Sequence, residues 1–212
     1  YNLAGAINDF ALQPVAEARG FAGRAQDKNA VNTAGEHTLE IVSDSGEGAQ
    51  KCAQIFASIS AKMGNGVWTV EIIPAEIQPP PRVPEGASGN RVRLGSAPVT
   101  NWGDETNLVV AFNEQVLLNR HRLDALADDA VILLEDKWAT DEDEKIKKAW
   151  DDALAELGGR NYRIIFVPME EQCLTIVENP RKGKNMFALG LVARVYSRDL
   201  DRIREQIAYT FR

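Results

Sequence analysis

Cysteine and histidine are nearly missing from this chain. Cys52 and Cys173 stand far apart in no paired motif, which excludes a disulfide framework and fits a reducing, cytoplasmic setting. Two cysteines cannot hold an iron–sulfur cluster, and His37 and His121 cannot make a zinc site alone. No run approaches the ~18 apolar residues that a membrane-spanning helix needs. Basic excess is lacking too: the formal net charge is -7 over 212 residues. A general nucleic-acid or anionic-membrane surface is therefore not expected, because phosphate binding wants a basic footprint. A few converging donors could still bind one small anion.

What is present is the mix of a globular protein, 44% hydrophobic and 26% charged. Residues 1–36 carry few large apolar side chains at any regular period and read as an N-terminal arm or linker, with a short helix near Pro14–Ala18. The folded domain is expected over 37–212. The chain starts at Tyr1 and stops at Arg212 inside a helical pattern, so a piece of a longer subunit is expected.

From His37 onward strands and helices alternate. His37–Ser43 reads as a strand, Gly46–Gly48 as a tight turn, and then a helix with Cys52, Ile55, Phe56, Ile59 and Met63 on one face. Gly64 and Gly66 end it. Val67–Ile73 is the next strand, stopped by Pro74, and Pro79–Pro84 suits neither a central strand nor a helix interior. Gly86–Ser96 reads as a glycine turn followed by a short alternating strand. Leu108–Phe112 and Ala130–Leu134 are apolar runs that suit strands covered on both faces, with a helix Glu114–Leu126 between them.

A helix is expected over Asp141–Leu157 with Thr140 as N-cap and an acidic first turn. Tyr162–Val167 reads as a buried strand and Met186–Val195 as a buried helix with Asn185 as cap. Ser197 is placed to cap a last helix carrying Leu200, Ile203 and Ile207. The whole predicts a three-layer α/β/α Rossmann-like domain with a mostly parallel sheet.

Three stretches could bind an anion. The turn Gly46-Glu47-Gly48-Ala49-Gln50 joins a strand to a helix start, where glycines admit a close ligand and free N–H groups point outward. Its spacing alone suits a plain connecting turn equally well. Lys51 stands where the dinucleotide fingerprint needs a third glycine, and no Walker loop occurs. Gly86-Ala87-Ser88-Gly89-Asn90-Arg91 could wrap a phosphate or could be a hairpin with its arginines in solvent. Pro180-Arg181-Lys182-Gly183-Lys184-Asn185 could meet an anion or a partner, or could be a solvated loop. The run Asp141–Glu144 is helix-start chemistry, and Cys52 is a packing residue. No nucleophile–base–acid set can be named.

The order of motifs carries more. A Gly-rich turn into Ala49-Gln50, a Pro-rich segment, GASGNRVR, LVVAFNEQVL and then KNMFALG before a final helix resemble the gamma domain of the 2-oxoacid:ferredoxin oxidoreductases, in its form fused to the large subunit of 2-oxoglutarate-type enzymes. The resemblance runs from about Leu39 to about Ile207. It implies a coenzyme-A-binding domain of an enzyme that turns a 2-oxoacid, coenzyme A and oxidised ferredoxin into acyl-CoA, carbon dioxide and reduced ferredoxin. It implies thiamine diphosphate, magnesium and iron–sulfur clusters on partner domains or subunits, and ferredoxin as acceptor of the whole complex. This chain alone is then expected to be inert. By resemblance the coenzyme A contacts are Gly46, Gly48, Ala49, Gln50, Gly86, Ser88, Gly89, Asn90 and Arg91.

Two places depart from that family's pattern. Many relatives have a fuller GxGGxG turn where this chain has Glu47 and Ala49, and a carboxylate beside a phosphate repels it by on the order of 1 kcal/mol. Many also carry an Arg-Gly-Gly element, for which Gly86–Arg91 stands here. Two other readings compete. A Rossmann-like nucleotide-binding oxidoreductase would bind a nicotinamide or flavin by itself, and a structural assembly module would bind no small molecule.

Overall fold

A computed structural model describes residues 35–179 and 183–211. The expected arm, apart from residues 35 and 36, lies outside them, as do Pro180, Arg181 and Lys182.

The first strand, β1 (Glu36–Asp44), leads through the glycine turn into α1 (Ala49–Lys62), and β2 (Gly66–Ile72) follows. After the Pro-rich loop come β3 (Ala87–Gly95), β4 (Thr106–Ala111), α2 (Glu114–Arg122) and β5 (Leu126–Glu135). Then α3 (Glu144–Leu157), β6 (Arg163–Val167), α4 (Met169–Leu174), α5 (Lys184–Val195) and α6 (Leu200–Thr210) complete the fold. The six strands form one sheet in the order β2-β3-β1-β4-β5-β6. β4 lies parallel to β1, β5 to β4 and β6 to β5, whereas β3 runs antiparallel to both β1 and β2. The sheet is mostly parallel, and the layers are three.

One layer packs α1, α5 and α6 on the sheet face carrying Leu39, Ile41, Val92 and Val110. The other packs α2 and α3 on the face carrying Val42, Val109, Ile132 and Leu134. Strict alternation along β1 and β4 sends neighbours to opposite cores, which is why these runs are apolar throughout. Cys52, Ile55, Phe56 and Ile59 of α1 are buried as the helical spacing predicts.

Several boundaries differ from the sequence reading. β3 is no short strand after a loop: it is nine residues long, nearly all buried, between β1 and β2. α2 stops at Arg122 because Leu126 already begins β5. α3 starts at Glu144, capped by the Asp143 carboxylate and not by Thr140, whose hydroxyl donates to the Lys137 carbonyl instead. Asp199 and not Ser197 caps α6 through the N–H groups of Asp201 and Arg202. α5 begins at Lys184, one residue before its expected cap. β6 is a half-exposed edge strand, and the short helix α4 was not anticipated.

Candidate functional site

β1 hands over to α1 and then to β2 on one side of the sheet. β4 hands over to α2 and then to β5 on the other side, with α1 and α2 on opposite faces. The chain order therefore reverses between β1 and β4, and the crevice outside their carboxyl ends is where open α/β sheets take ligands. The Gly46–Gln50 turn stands at that point.

Gly48 is the N-cap of α1, with φ of 86° and no side chain capping the helix start. Left-handed backbone is strained for a residue with a β-carbon. A second constraint acts here: a Cβ on Gly48 would lie 2.5 Å from Asn185 Nδ2. Asn185 belongs to the first turn of α5, so the starts of α1 and α5 converge on one turn. Each helix start leaves N–H groups without intrahelical partners and carries the positive end of its dipole. Lys184 and Asn185, which open α5, are thus brought to the glycine turn by tertiary packing.

Gln50 reaches from α1 to donate to the Ile72 carbonyl at 3.3 Å, tying the turn to the end of β2. The start of β3 is alongside, since Ala87 pairs with Asp44, Ser88 with Ser43 and Gly89 with Val42. Gly46, Gly48, Ala49, Gln50, Gly86, Ser88 and Gly89 therefore gather around the carboxyl end of β1. Asn90 lies one step further in and its Oδ1 is buried without a hydrogen bond.

Arg91 is placed differently from the phosphate contact that the resemblance implies. Its guanidinium donates to Glu40 Oε1 at 2.8 Å and to the carbonyls of Gly103, Asp104 and Ala125 at 2.8, 3.2 and 3.2 Å. Alternation along β3 puts Arg91 on the face opposite Ser88 and Asn90, toward the starts of β4 and β5. A fixed fork already engaged by a buried carboxylate and three carbonyls has its charge paired and is held away from the turn. A cavity of about 420 Å³ opens on that side, lined by Val70, Ile72, Arg91, Trp102, Arg120 and Asp124 among others, and none of the turn residues lines it.

Beneath the turn lies a cluster that sequence reasoning missed. Lys184 is buried, with its Nζ 3.3 Å from Glu47 and 3.7 Å from Glu170. Glu135, at the carboxyl end of β5, accepts the N–H groups of Lys137 at 3.2 Å and Glu170 at 2.9 Å. Lys137 Nζ meets Glu170 at 2.6 Å. Burial raises the Glu135 carboxyl to about 7, against the opposing pull of Lys184 and the two backbone donors. Between about 4.5 and about 7 the folded chain keeps a proton that the unfolded chain releases, so stability falls as pH rises through that window. Urea unfolding at about pH 5 and about pH 8 should show the fall, and Glu135→Gln should flatten it.

Burial pushes both thiols up, Cys173 to about 12, so neither is a nucleophile at neutral pH. Among the described residues no group of three or more histidine, cysteine, aspartate or glutamate side chains is arranged to hold a metal, and no helix is long and apolar enough to cross a membrane.

The model of one family, pyruvate ferredoxin/flavodoxin oxidoreductase, matches residues 39–212 and so takes in both converging helices. The chain belongs to that family. A relative, 2-oxoglutarate oxidoreductase subunit KorA of Mycobacterium tuberculosis, is 29% identical over 182 residues, covering 80% of this chain and 27% of its own length. The chain thus spans about a quarter of that relative. Among solved structures, a 2-oxoglutarate:ferredoxin oxidoreductase from Magnetococcus marinus with 2-oxoglutarate, coenzyme A and succinyl-CoA bound shares the fold at a TM-score of 0.62. It is 20% identical, over 84% of this chain and 27% of that one. The gamma subunit of a keto/oxoacid ferredoxin oxidoreductase from Geobacter sulfurreducens gives a TM-score of 0.57 at 16% identity, over 82% and 84% of the two chains. Pyruvate oxidoreductase subunit PORC from Thermotoga maritima gives 0.55 at 19% identity, over 84% and 87%.

Proposed function

We propose that this chain is the coenzyme-A-receiving domain of a 2-oxoacid:ferredoxin oxidoreductase, with 2-oxoglutarate as the oxoacid. The observation that carries the reading is the meeting of two helix starts on the Gly46–Gln50 turn, at the switch point of a sheet in a chain of this family. The backbone N–H groups of Gly48, Ala49 and Gln50 bind a phosphate of coenzyme A. Asn185 Nδ2 stands over the same turn. Gly46 and Gly86 leave room for the ligand, and Ser88, Gly89 and Asn90 border it from β3. Arg91 serves from below by fixing β3 and does not itself touch the phosphate.

The complete reaction is 2-oxoglutarate, coenzyme A and two oxidised ferredoxins to succinyl-CoA, carbon dioxide, two reduced ferredoxins and a proton. This domain's share is to hold coenzyme A by its phosphates so that the thiol meets the acyl group. Thiamine diphosphate, magnesium and iron–sulfur clusters belong to partner domains or subunits in this reading. The chain's 29% identity to a 2-oxoglutarate oxidoreductase subunit favours that oxoacid over pyruvate.

Calorimetric titration of coenzyme A into the whole complex tests the assignment, with NAD and the dephosphorylated analogue as controls. The unmodified complex should bind coenzyme A saturably and NAD not at all. Gly48→Ala should weaken coenzyme A about tenfold or more, because a β-carbon in left-handed backbone costs ~1–2 kcal/mol and here also strikes Asn185. Equal affinity in the Gly48→Ala complex moves the phosphate elsewhere. Saturable NAD binding replaces the reading with a nucleotide-binding oxidoreductase, and no binding of either leaves an assembly module.

A further inference from the structure

Glu47 is the one acidic residue inside the turn, directly before the N-cap of α1. A carboxylate there is within reach of the free N–H groups of the helix start, which would welcome it as they would any anion. It is turned away instead. Its Oε2 accepts the Asp44 N–H at 3.2 Å, and its Oε1 faces Lys184 Nζ at 3.3 Å. Lys184 is held firmly: it is 2% exposed, opens α5, lies 5.5 Å over the Phe112 ring and reaches Glu170 as well.

We propose that Lys184 is a positioning residue for the coenzyme A site, acting by holding Glu47 inward so that the turn's N–H groups stay free for a phosphate. The inference rests on the coenzyme A reading above. Without the ammonium, Glu47 keeps only one backbone donor. The unsatisfied N–H groups of Ala49 and Gln50 then become its best partners, in the same turn and at high effective concentration. The turn would cap itself and compete with the ligand. The same arrangement explains how a chain with a glutamate inside the turn can keep a phosphate site: the charge is present, but it is paired on the far side of the turn.

A buried lysine also contributes its own field, and a double-mutant cycle separates the two roles. Coenzyme A is titrated calorimetrically into whole complexes carrying no change, Lys184→Met, Glu47→Gln, and both. The expected result is a loss of at least about tenfold for Lys184→Met, the size of one charge-assisted hydrogen bond. Glu47→Gln should bind as tightly as the unmodified complex or more tightly. The double variant should match Glu47→Gln, because no carboxylate at position 47 is then left for Lys184 to hold away from the turn. Lys184→Gln, which keeps a polar end, should follow the same pattern and guards against loss of folding. Hydrogen exchange gives a second readout: in the ligand-free Lys184→Met complex the Ala49 and Gln50 amides should be protected when Glu47 is present and unprotected when it is Gln. Equal weakening by Lys184→Met in both Glu47 backgrounds overturns the proposal while leaving the coenzyme A reading intact. An unmodified complex that fails to bind coenzyme A overturns both.

Discussion

Replacing Glu40 with leucine is expected to lower the unfolding free energy by about 3–5 kcal/mol, the cost of stripping a buried ion pair of one partner. Glu40 sits in the middle of β1 and is fully buried. Arg120 grips it twice, Nε to Oε2 at 2.8 Å and Nη2 to Oε1 at 3.0 Å, while Arg91 Nε adds a third bond at 2.8 Å. Leucine would leave two largely buried guanidiniums facing each other with no counter-charge. Arg91 keeps its three carbonyls, which is why the loss stays below the idealised cost of an isolated buried ion. The comparison that isolates charge is Glu40→Leu against the triple change Glu40→Leu, Arg91→Met and Arg120→Leu. The triple variant should recover most of the stability, since packed apolar groups often replace a buried ion cluster without loss. Urea unfolding with an unchanged m-value is the measurement. A single-variant loss under about 1 kcal/mol would mean that the cluster is wet and behaves as a surface pair.

This cluster also shows where a sequence stops being readable. Arg91 in GASGNRVR has the composition of a phosphate loop, and nothing local says that its side chain points into a sheet face. The partner that decides the matter, Glu40, is 51 residues earlier, and the carbonyls come from the loops before β4 and β5. By contrast, β1, α1 and β4 were legible because alternation and the helical period impose their pattern within a few residues. Helix starts were half legible. The choice of Asp143 over Thr140 and of Asp199 over Ser197 depends on which oxygen the incoming backbone aims at the first turn, and all four residue types can cap. The glycine turn was found from its own residues. Its companions Lys184 and Asn185 lie some 136 positions later and were recognised only as a basic stretch, because pairing α5 with α1 is a property of the packed layer.

Gly89→Ala should be among the most damaging single-methyl changes at the described residues. A Cβ at this position would lie 2.1 Å from the Ile41 carbonyl oxygen and 3.0 Å from the Ile41 carbonyl carbon and the Val42 Cα. These are backbone atoms of β1, which pairs with β4 on its other side, so they cannot turn aside as a side chain would. β3 cannot retreat either, because β2 is bonded along its far edge. Relief requires breaking the β1–β3 ladder toward the carboxyl end of β1, where Gly89 pairs with Val42, and a loss above about 4 kcal/mol is expected, in the class that marginal domains do not survive. Gly46→Ala provides the contrast. Nothing lies within 4 Å of its Cβ, so only the left-handed φ of 89° is penalised, at ~1–2 kcal/mol. Thermal unfolding of the two variants should therefore separate them widely, with Gly46→Ala folded and Gly89→Ala unfolded or insoluble. Similar melting of both would remove β3 from its place between β1 and β2, and with it the wall that Ser88 and Asn90 give the proposed coenzyme A site.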